Sequence, residues 1–162
     1  MLHIVYGGSA SGKSSYAESF AMSLQGEGRL LYIATMYPYK WNTTEIDPET
    51  MQRIERHRAM RADKGFDTVE CYRHVEHIVA KRQDVLLLEC MSNLLANEMY
   101  LEPDSNAGSD MAETMSPVSN KIVQALIDLS TRVQELVIVT NDVFSDGGSL
   151  TYDESTREYV KN

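Results

Sequence analysis

The chain has 162 residues, 43% of them hydrophobic, and a formal net charge of −9. That is the size of one domain with a sizeable core. The acidic balance argues against non-specific nucleic-acid binding, a local basic patch aside, and the lack of any apolar run of about 18 residues argues against a membrane span. The two cysteines, Cys71 and Cys90, lack metal-type spacing. They read as reduced structural thiols of a cytoplasmic protein, with no signal peptide ahead of the first strand.

The chain begins with an apolar run, Leu2 to Tyr6, read as a buried strand. Gly7-Gly8-Ser9-Ala10-Ser11-Gly12-Lys13-Ser14 follows and leads into a helix from Lys13 to about residue 25. Strand, glycine-rich turn and helix with the spacing G-x-x-x-x-G-K-S make a phosphate-binding loop. Glycines let the backbone wrap a phosphate chain without Cβ clashes, so that amide N–H groups and the helix N-terminus face the anion. Lys13 then reaches the outer phosphates, and the Ser14 hydroxyl is placed to ligate Mg²⁺. The plainer reading is an ordinary Gly/Ser-rich turn between a strand and a helix. Gly26 and Gly28 are expected to end the helix. Arg29 to Met36 reads as a buried parallel strand. Thr35 and Met36 either stand beside the phosphate loop at its carboxyl end or merely close the strand.

Tyr37 to Ile46 reads as loop. Asp47 as N-cap, Pro48 in the first turn and Glu49 after it open a helix through Arg61. This helix is poor in apolar residues and rich in arginine, which suits a solvated lid or a surface for an anion. His57 has Arg53 four residues before it and Arg61 four after, all on one stripe. Nearby cations favour a neutral, nucleophilic imidazole; the alternative is a surface histidine in a basic patch. Past a loop with Gly65, residues 67–72 alternate weakly as a strand, and residues 73–82 read as a short amphipathic helix with Val75, Ile78 and Val79 inward. His74 and His77 lack an obvious third metal ligand and read as a solvated face.

Val85 to Glu89 is a Walker-B-like strand whose closing acid either holds Mg²⁺ or caps the next helix. That helix runs from Met91 to Tyr100. Residues 101–116 read as a mobile acidic loop, and Pro117 starts a helix to Arg132 with Val118, Ile122, Ala125, Leu126 and Leu129 as its buried stripe. Residues 135–142 form another buried strand, with Thr140, Asn141 and Asp142 at its carboxyl end. A turn at Asp146-Gly147-Gly148 and a helix from Asp153 follow. The alternation predicts an α/β phosphate-loop nucleotide-binding fold, a mostly parallel sheet flanked by helices, as one domain over residues 1–162.

The phosphate loop with Tyr-Ala-Glu after it, then Leu-Tyr-Ile-Ala-Thr, Arg-Ile-Glu-Arg-His-Arg, Thr-Val-Glu, Leu-Leu-Leu-Glu-Cys and Ile-Val-Thr-Asn-Asp-Val, resembles one family in this order. It is the bifunctional adenosylcobinamide kinase / adenosylcobinamide-phosphate guanylyltransferase family of cobalamin biosynthesis. The resemblance implies a recombinase/ATPase-type core and a homotrimer, with GTP, ATP and Mg²⁺ as cofactors. It implies that adenosylcobinamide is phosphorylated and then receives GMP from GTP through a guanylyl-histidine, here His57. It also implies nucleotide contacts from Gly7, Gly8, Ser9, Ala10, Ser11, Gly12, Lys13 and Ser14, from Ile33, Ala34 and Thr35, from Arg58, Ala59, Met60 and Arg61, and from Glu70 and Glu89. Ser14 and Glu89 are the expected metal ligands. Arg56 stands where the family often has a second histidine, the Arg61–Gly65 segment carries an extra residue, and residues 144–152 lack a Gly-rich, Pro-containing version. The family pattern continues past Asn162, so the chain is expected to lack a C-terminal strand. A single-function small-metabolite kinase and a nucleotide-binding regulator remain as alternatives. A phosphate loop reads phosphates rather than bases, so the donor of the first step stays open, as do the corrinoid-binding residues.

Overall fold

Five strands form one sheet in the order β1-β5-β4-β2-β3, and every pairing is parallel. The computed structural model describes residues 1–8, 10–40, 43–101 and 111–141, with side chains from residue 117 in the last segment. The strands are β1 (Leu2–Gly7), β2 (Leu30–Ala34), β3 (Phe66–Glu70), β4 (Val85–Glu89) and β5 (Glu135–Asn141). The helices are α1 (Lys13–Leu24), α2 (Pro48–Arg61), α3 (Met91–Tyr100) and α4 (Met111–Arg132). Expectations that fall on Ser9, on residues 102–110 and on Asp142 onward lie outside the described residues.

The period-two geometry of strands divides each apolar run between two faces. Leu31, Ile33, Leu86, Leu88, Leu136 and Ile138 point to one side, where Leu94 of α3 and Ile122, Leu126 and Leu129 of α4 cover them. Leu30, Tyr32, Val85, Leu87, Val137 and Val139 point to the other, against Ala17 and Ala21 of α1. Both alanines are fully buried, and their small size lets α1 lie close to the sheet. Since the strands all run one way, the phosphate loop, the end of β4 and the end of β5 share one sheet edge.

Four expectations need correction. β1 is an edge strand among the described residues, not a buried one. Its His3 and Val5 face is partly covered, while Ile4 and Tyr6 are 66% and 64% exposed. An apolar run does not reveal which strand stands at an edge. Gly26 and Gly28 do not cap α1, which ends at an extended Gln25. Gly28 instead allows a backbone crossing, since a Cβ there would lie 1.9 Å from the Gln83 carbonyl oxygen. The segment 73–82 forms only a single 3-10 turn, Val75–His77. Helical spacing placed Val75 and Ile78 inward correctly, but the chain becomes extended at Ile78 and turns Val79 out, 86% exposed. Finally, α4 begins at Met111 and carries Pro117 inside it. The stretch Met111-Ala112-Glu113 has high helix propensity and extends the helix upstream of the proline.

Both cysteines are free, as expected. Burial pushes the Cys71 thiol up to about 11, so it stays protonated at neutral pH. The amino-terminal ends of the strands are joined by Asp84, which is 1% exposed. Its carboxylate accepts from the backbone N–H of Arg29 at 3.0 Å and of Lys81 at 2.8 Å, and from Arg29 Nη2 at 2.6 Å. Burial acts to raise its pKa, but these donors outweigh burial and hold it below the ordinary carboxylate value. The stabilisation is therefore present above an unfolded pKa of about 3.9 and is lost as pH falls through the lower folded value. Asp84→Ala, which orphans two backbone donors, is expected to cost about 2 kcal/mol in urea melts at pH 7. The difference from the unsubstituted chain should shrink as the carboxylate protonates below pH about 4.

Candidate active site

The phosphate loop closes on itself at the carboxyl end of β1. Gly12 has φ +82°, the left-handed region that suits glycine, and so turns the chain into α1. The Ser11 N–H lies 3.4 Å from the Gly8 carbonyl oxygen, and Lys13 Nζ donates to the same oxygen at 3.0 Å. Ala10, Lys13 and Ser14 line a cavity of about 350 Å³. Its floor includes Tyr32 and Ala34 of β2 with Thr35 just beyond it, Glu89 and Cys90 at the end of β4, and Asn141 from β5. Its other wall is α2, which contributes Arg53, Ile54, His57, Arg58 and Arg61. The two parts singled out in the sequence, anion loop and histidine helix, thus face one cavity.

Helix α2 has few apolar residues, and polar contacts hold its C-terminal end in place. Lys64, just beyond it, is ion-paired with Glu18 of α1, which is 3% exposed. Arg58 is ion-paired with Glu70 of β3. Arg61 is 5% exposed, and its guanidinium carbon lies 3.4 Å from the centroid of the Tyr32 ring. Its Nε and Nη1 atoms have no hydrogen-bond partner. A desolvated cation–π contact contributes about 2 kcal/mol, whereas burying an ion costs several. The ring alone does not offset that cost, so this guanidinium is poised for an anion.

The Tyr32 hydroxyl donates to Glu89 Oε2 at 2.9 Å. Burial and then the Glu89 charge push the phenol far above its ordinary pKa, so it remains a donor. The carboxylate at the end of β4 and the arginine on α2 are therefore held by one side chain. Thr35 is fully buried. Its Oγ1 accepts from the Cys90 N–H at 2.9 Å and lies 3.1 and 3.0 Å from the carbonyl oxygens of Glu89 and Cys90. Its own carbonyl accepts from Asn97 Nδ2 at 2.8 Å. Thr35 both lines the cavity and ties the ends of β2 and β4 together.

The other residues implied by resemblance are placed less uniformly. Gly7, Gly8, Ser11 and Gly12 shape the loop but do not line the cavity. Ile33 is fully buried in the core on the α4 side of the sheet. Ala59 and Met60 are exposed on α2 and do not line the cavity, and Met60 is 58% exposed. Glu70 faces a neighbouring cavity and meets the first through Arg58. Tyr32 and Asn93 line the site and were not anticipated. The available signal for Tyr32 was a hydroxyl inside an otherwise apolar run, since a buried phenol needs a polar partner. His74 and His77 stack at 5.6 Å instead of forming a helical face. Glu76 and Glu98 do approach His74, but the Lys121 ammonium stands among them, 3.4 Å from His74 Nδ1 and 3.7 Å from Glu98.

Arg61→Met keeps much of the bulk over Tyr32 and removes the unpaired charge. Thermal melts are expected to show unchanged or higher stability without ligand. The stabilisation added by a nucleoside triphosphate should fall, because its Kd rises about tenfold or more with the loss of a charge-assisted bond.

Residues 3–162 match the family described as cobinamide kinase / cobinamide phosphate guanyltransferase. The chain is 31% identical over 151 residues to the "Bifunctional adenosylcobalamin biosynthesis protein CobU" of Escherichia coli (strain K12), an alignment covering 88% of this chain and 76% of that protein. It is 31% identical over 150 residues to the protein of the same description from Salmonella typhimurium (strain LT2), with coverage of 88% and 76%. No helix among the described residues is long and apolar enough to cross a membrane. The chain belongs to the cobinamide kinase / cobinamide phosphate guanyltransferase family.

Proposed function

We propose that this chain catalyses both reactions at the cavity between the phosphate loop and α2, with His57 as the covalent carrier of GMP. One observation supports this above the others: Lys13, Ser14 and His57 line the same cavity. In the first reaction the aminopropanol hydroxyl oxygen of adenosylcobinamide attacks the γ-phosphorus of ATP or GTP. The hydroxyl proton is released, the nucleoside diphosphate leaves, and Lys13 stabilises charge on the transferring oxygens.

In the second reaction a ring nitrogen of His57 attacks the α-phosphorus of GTP. The bond to the pyrophosphate oxygen breaks, pyrophosphate leaves, and a phosphoramidate remains. A phosphate oxygen of adenosylcobinamide phosphate then attacks the same phosphorus. The P–N bond breaks and adenosylcobinamide-GDP is released, with the imidazole restored. Arg53, Arg58 and Arg61 neutralise charge that develops on the α-phosphate. The Ser14 hydroxyl and the Glu89 carboxylate, both on the cavity wall, are the hard oxygen donors that suit Mg²⁺. When bound, Mg²⁺ supplies neutralisation of phosphate charge. A cytoplasmic homotrimer is part of this reading.

Intact-protein mass spectrometry after exposure to GTP and Mg²⁺ is expected to show one added GMP, acid-labile and mapping to His57. His57→Ala should bind GTP yet form no adduct, and Lys13→Ala should lower the kinase step by about a hundredfold or more. A protein that phosphorylates its acceptor normally but never carries GMP would be a single-function kinase.

A further inference from the structure

Beside the nucleotide cavity lies a second one, of about 1210 Å³. Tyr37 and Thr44, on the chain between β2 and α2, form one side of it. Tyr72 and His77, on the chain that leaves β3, form the other, with the outward-turned Val79. Tyr37 meets Tyr72 edge-on at 5.4 Å, and the Tyr72 hydroxyl donates to Glu70 at 2.9 Å. Burial, followed by the bond to Glu70, pushes the Tyr72 phenol well above its ordinary pKa, so it too stays a donor.

The two cavities adjoin. Arg58 lines the first, Glu70 lines the second, and the two side chains are ion-paired. Each is close to half exposed, so the pair is held weakly enough to rearrange. Size then separates the ligands. The cavity of about 350 Å³ suits a nucleotide and leaves no room for a corrin macrocycle beside it. The cavity of about 1210 Å³ exceeds the usual range for small-molecule sites, roughly 300–1,000 Å³, and suits an unusually large ligand. Its wall also fits the chemistry of a corrinoid. Tyrosine rings offer apolar faces to the macrocycle, while the Thr44 hydroxyl and the His77 imidazole offer partners for its peripheral amides.

We propose that this second cavity holds the corrin ring of the acceptor in both reactions, with the aminopropanol arm crossing the Arg58–Glu70 pair toward the nucleotide. The inference rests on the functional reading above, and the test keeps the two apart. Val79→Trp and Thr44→Trp each fill the cavity from a different segment at an exposed position. Equilibrium dialysis of adenosylcobinamide against the whole chain, followed by its visible absorbance, is expected to show Kd raised about tenfold or more in each variant. GTP affinity and the yield of GMP adduct should stay within about twofold, which also reports that both variants are folded. If the unsubstituted chain binds the corrinoid and both variants bind it equally well, the acceptor sits elsewhere, although the functional reading stands. If the unsubstituted chain binds no corrinoid and transfers GMP to none, the functional reading fails and this site with it.

Discussion

The arrangement of the site depends on a buried arginine laid flat on a tyrosine. Arg61 reaches from α2 to the Tyr32 ring at 3.4 Å, and the Tyr32 hydroxyl holds Glu89 at 2.9 Å. Three elements from separate parts of the chain are thereby fixed around one point: the histidine helix, the second strand and the acid-bearing strand. Arg61 is the only buried residue of α2, so the bulk of this side chain over the Tyr32 ring is the helix's main packing against the sheet edge. The Glu18–Lys64 pair supports the same placement from α1. An apolar helix would be held by area alone and would bring no charge to the cavity. This helix is held by charges, several of which also face the ligand space.

The same economy is visible in the sheet. Parallel strands place every carboxyl end at one edge, so the phosphate loop, Glu89 and Asn141 converge without any special local structure. Thr35 then ties the ends of β2 and β4 to each other with hydrogen bonds that leave no free hydroxyl inside the core. The opposite edge has its own clamp in Asp84. Rigidity at both ends suits a site that holds reacting groups at a defined distance and angle.

Much of this was legible in the sequence, and the failures have physical causes. Continuous apolar runs identified β2, β4 and β5 because strands covered on both faces leave no alternation to misread. The same rule misled at β1, where composition does not distinguish a central strand from an edge one. Motif spacing singles out Lys13, Ser14, Glu89 and His57 because it encodes which side chains a turn or a strand end presents, and the structure brings all four to one cavity. Tyr32 was missed because its role depends on two partners remote in sequence, Arg61 and Glu89. Within the stretch from Arg58 to Arg61, helical geometry keeps Arg58 and Arg61 on the cavity wall and turns Ala59 and Met60 away from it, a division that a contiguous motif does not reveal. The larger cavity was not legible, since its walls come from two irregular segments whose approach only tertiary structure sets.

The central claim is that one bound nucleotide touches both the phosphate loop and His57. A crystal structure of the chain with a non-hydrolysable GTP analogue and Mg²⁺ tests it most directly. The account predicts terminal phosphates cradled by the amides between Ala10 and Ser14, and an α-phosphorus within about 3.5 Å of a His57 ring nitrogen. A nucleotide seated in the loop with its α-phosphate turned away, and His57 facing solvent in every copy, would contradict it.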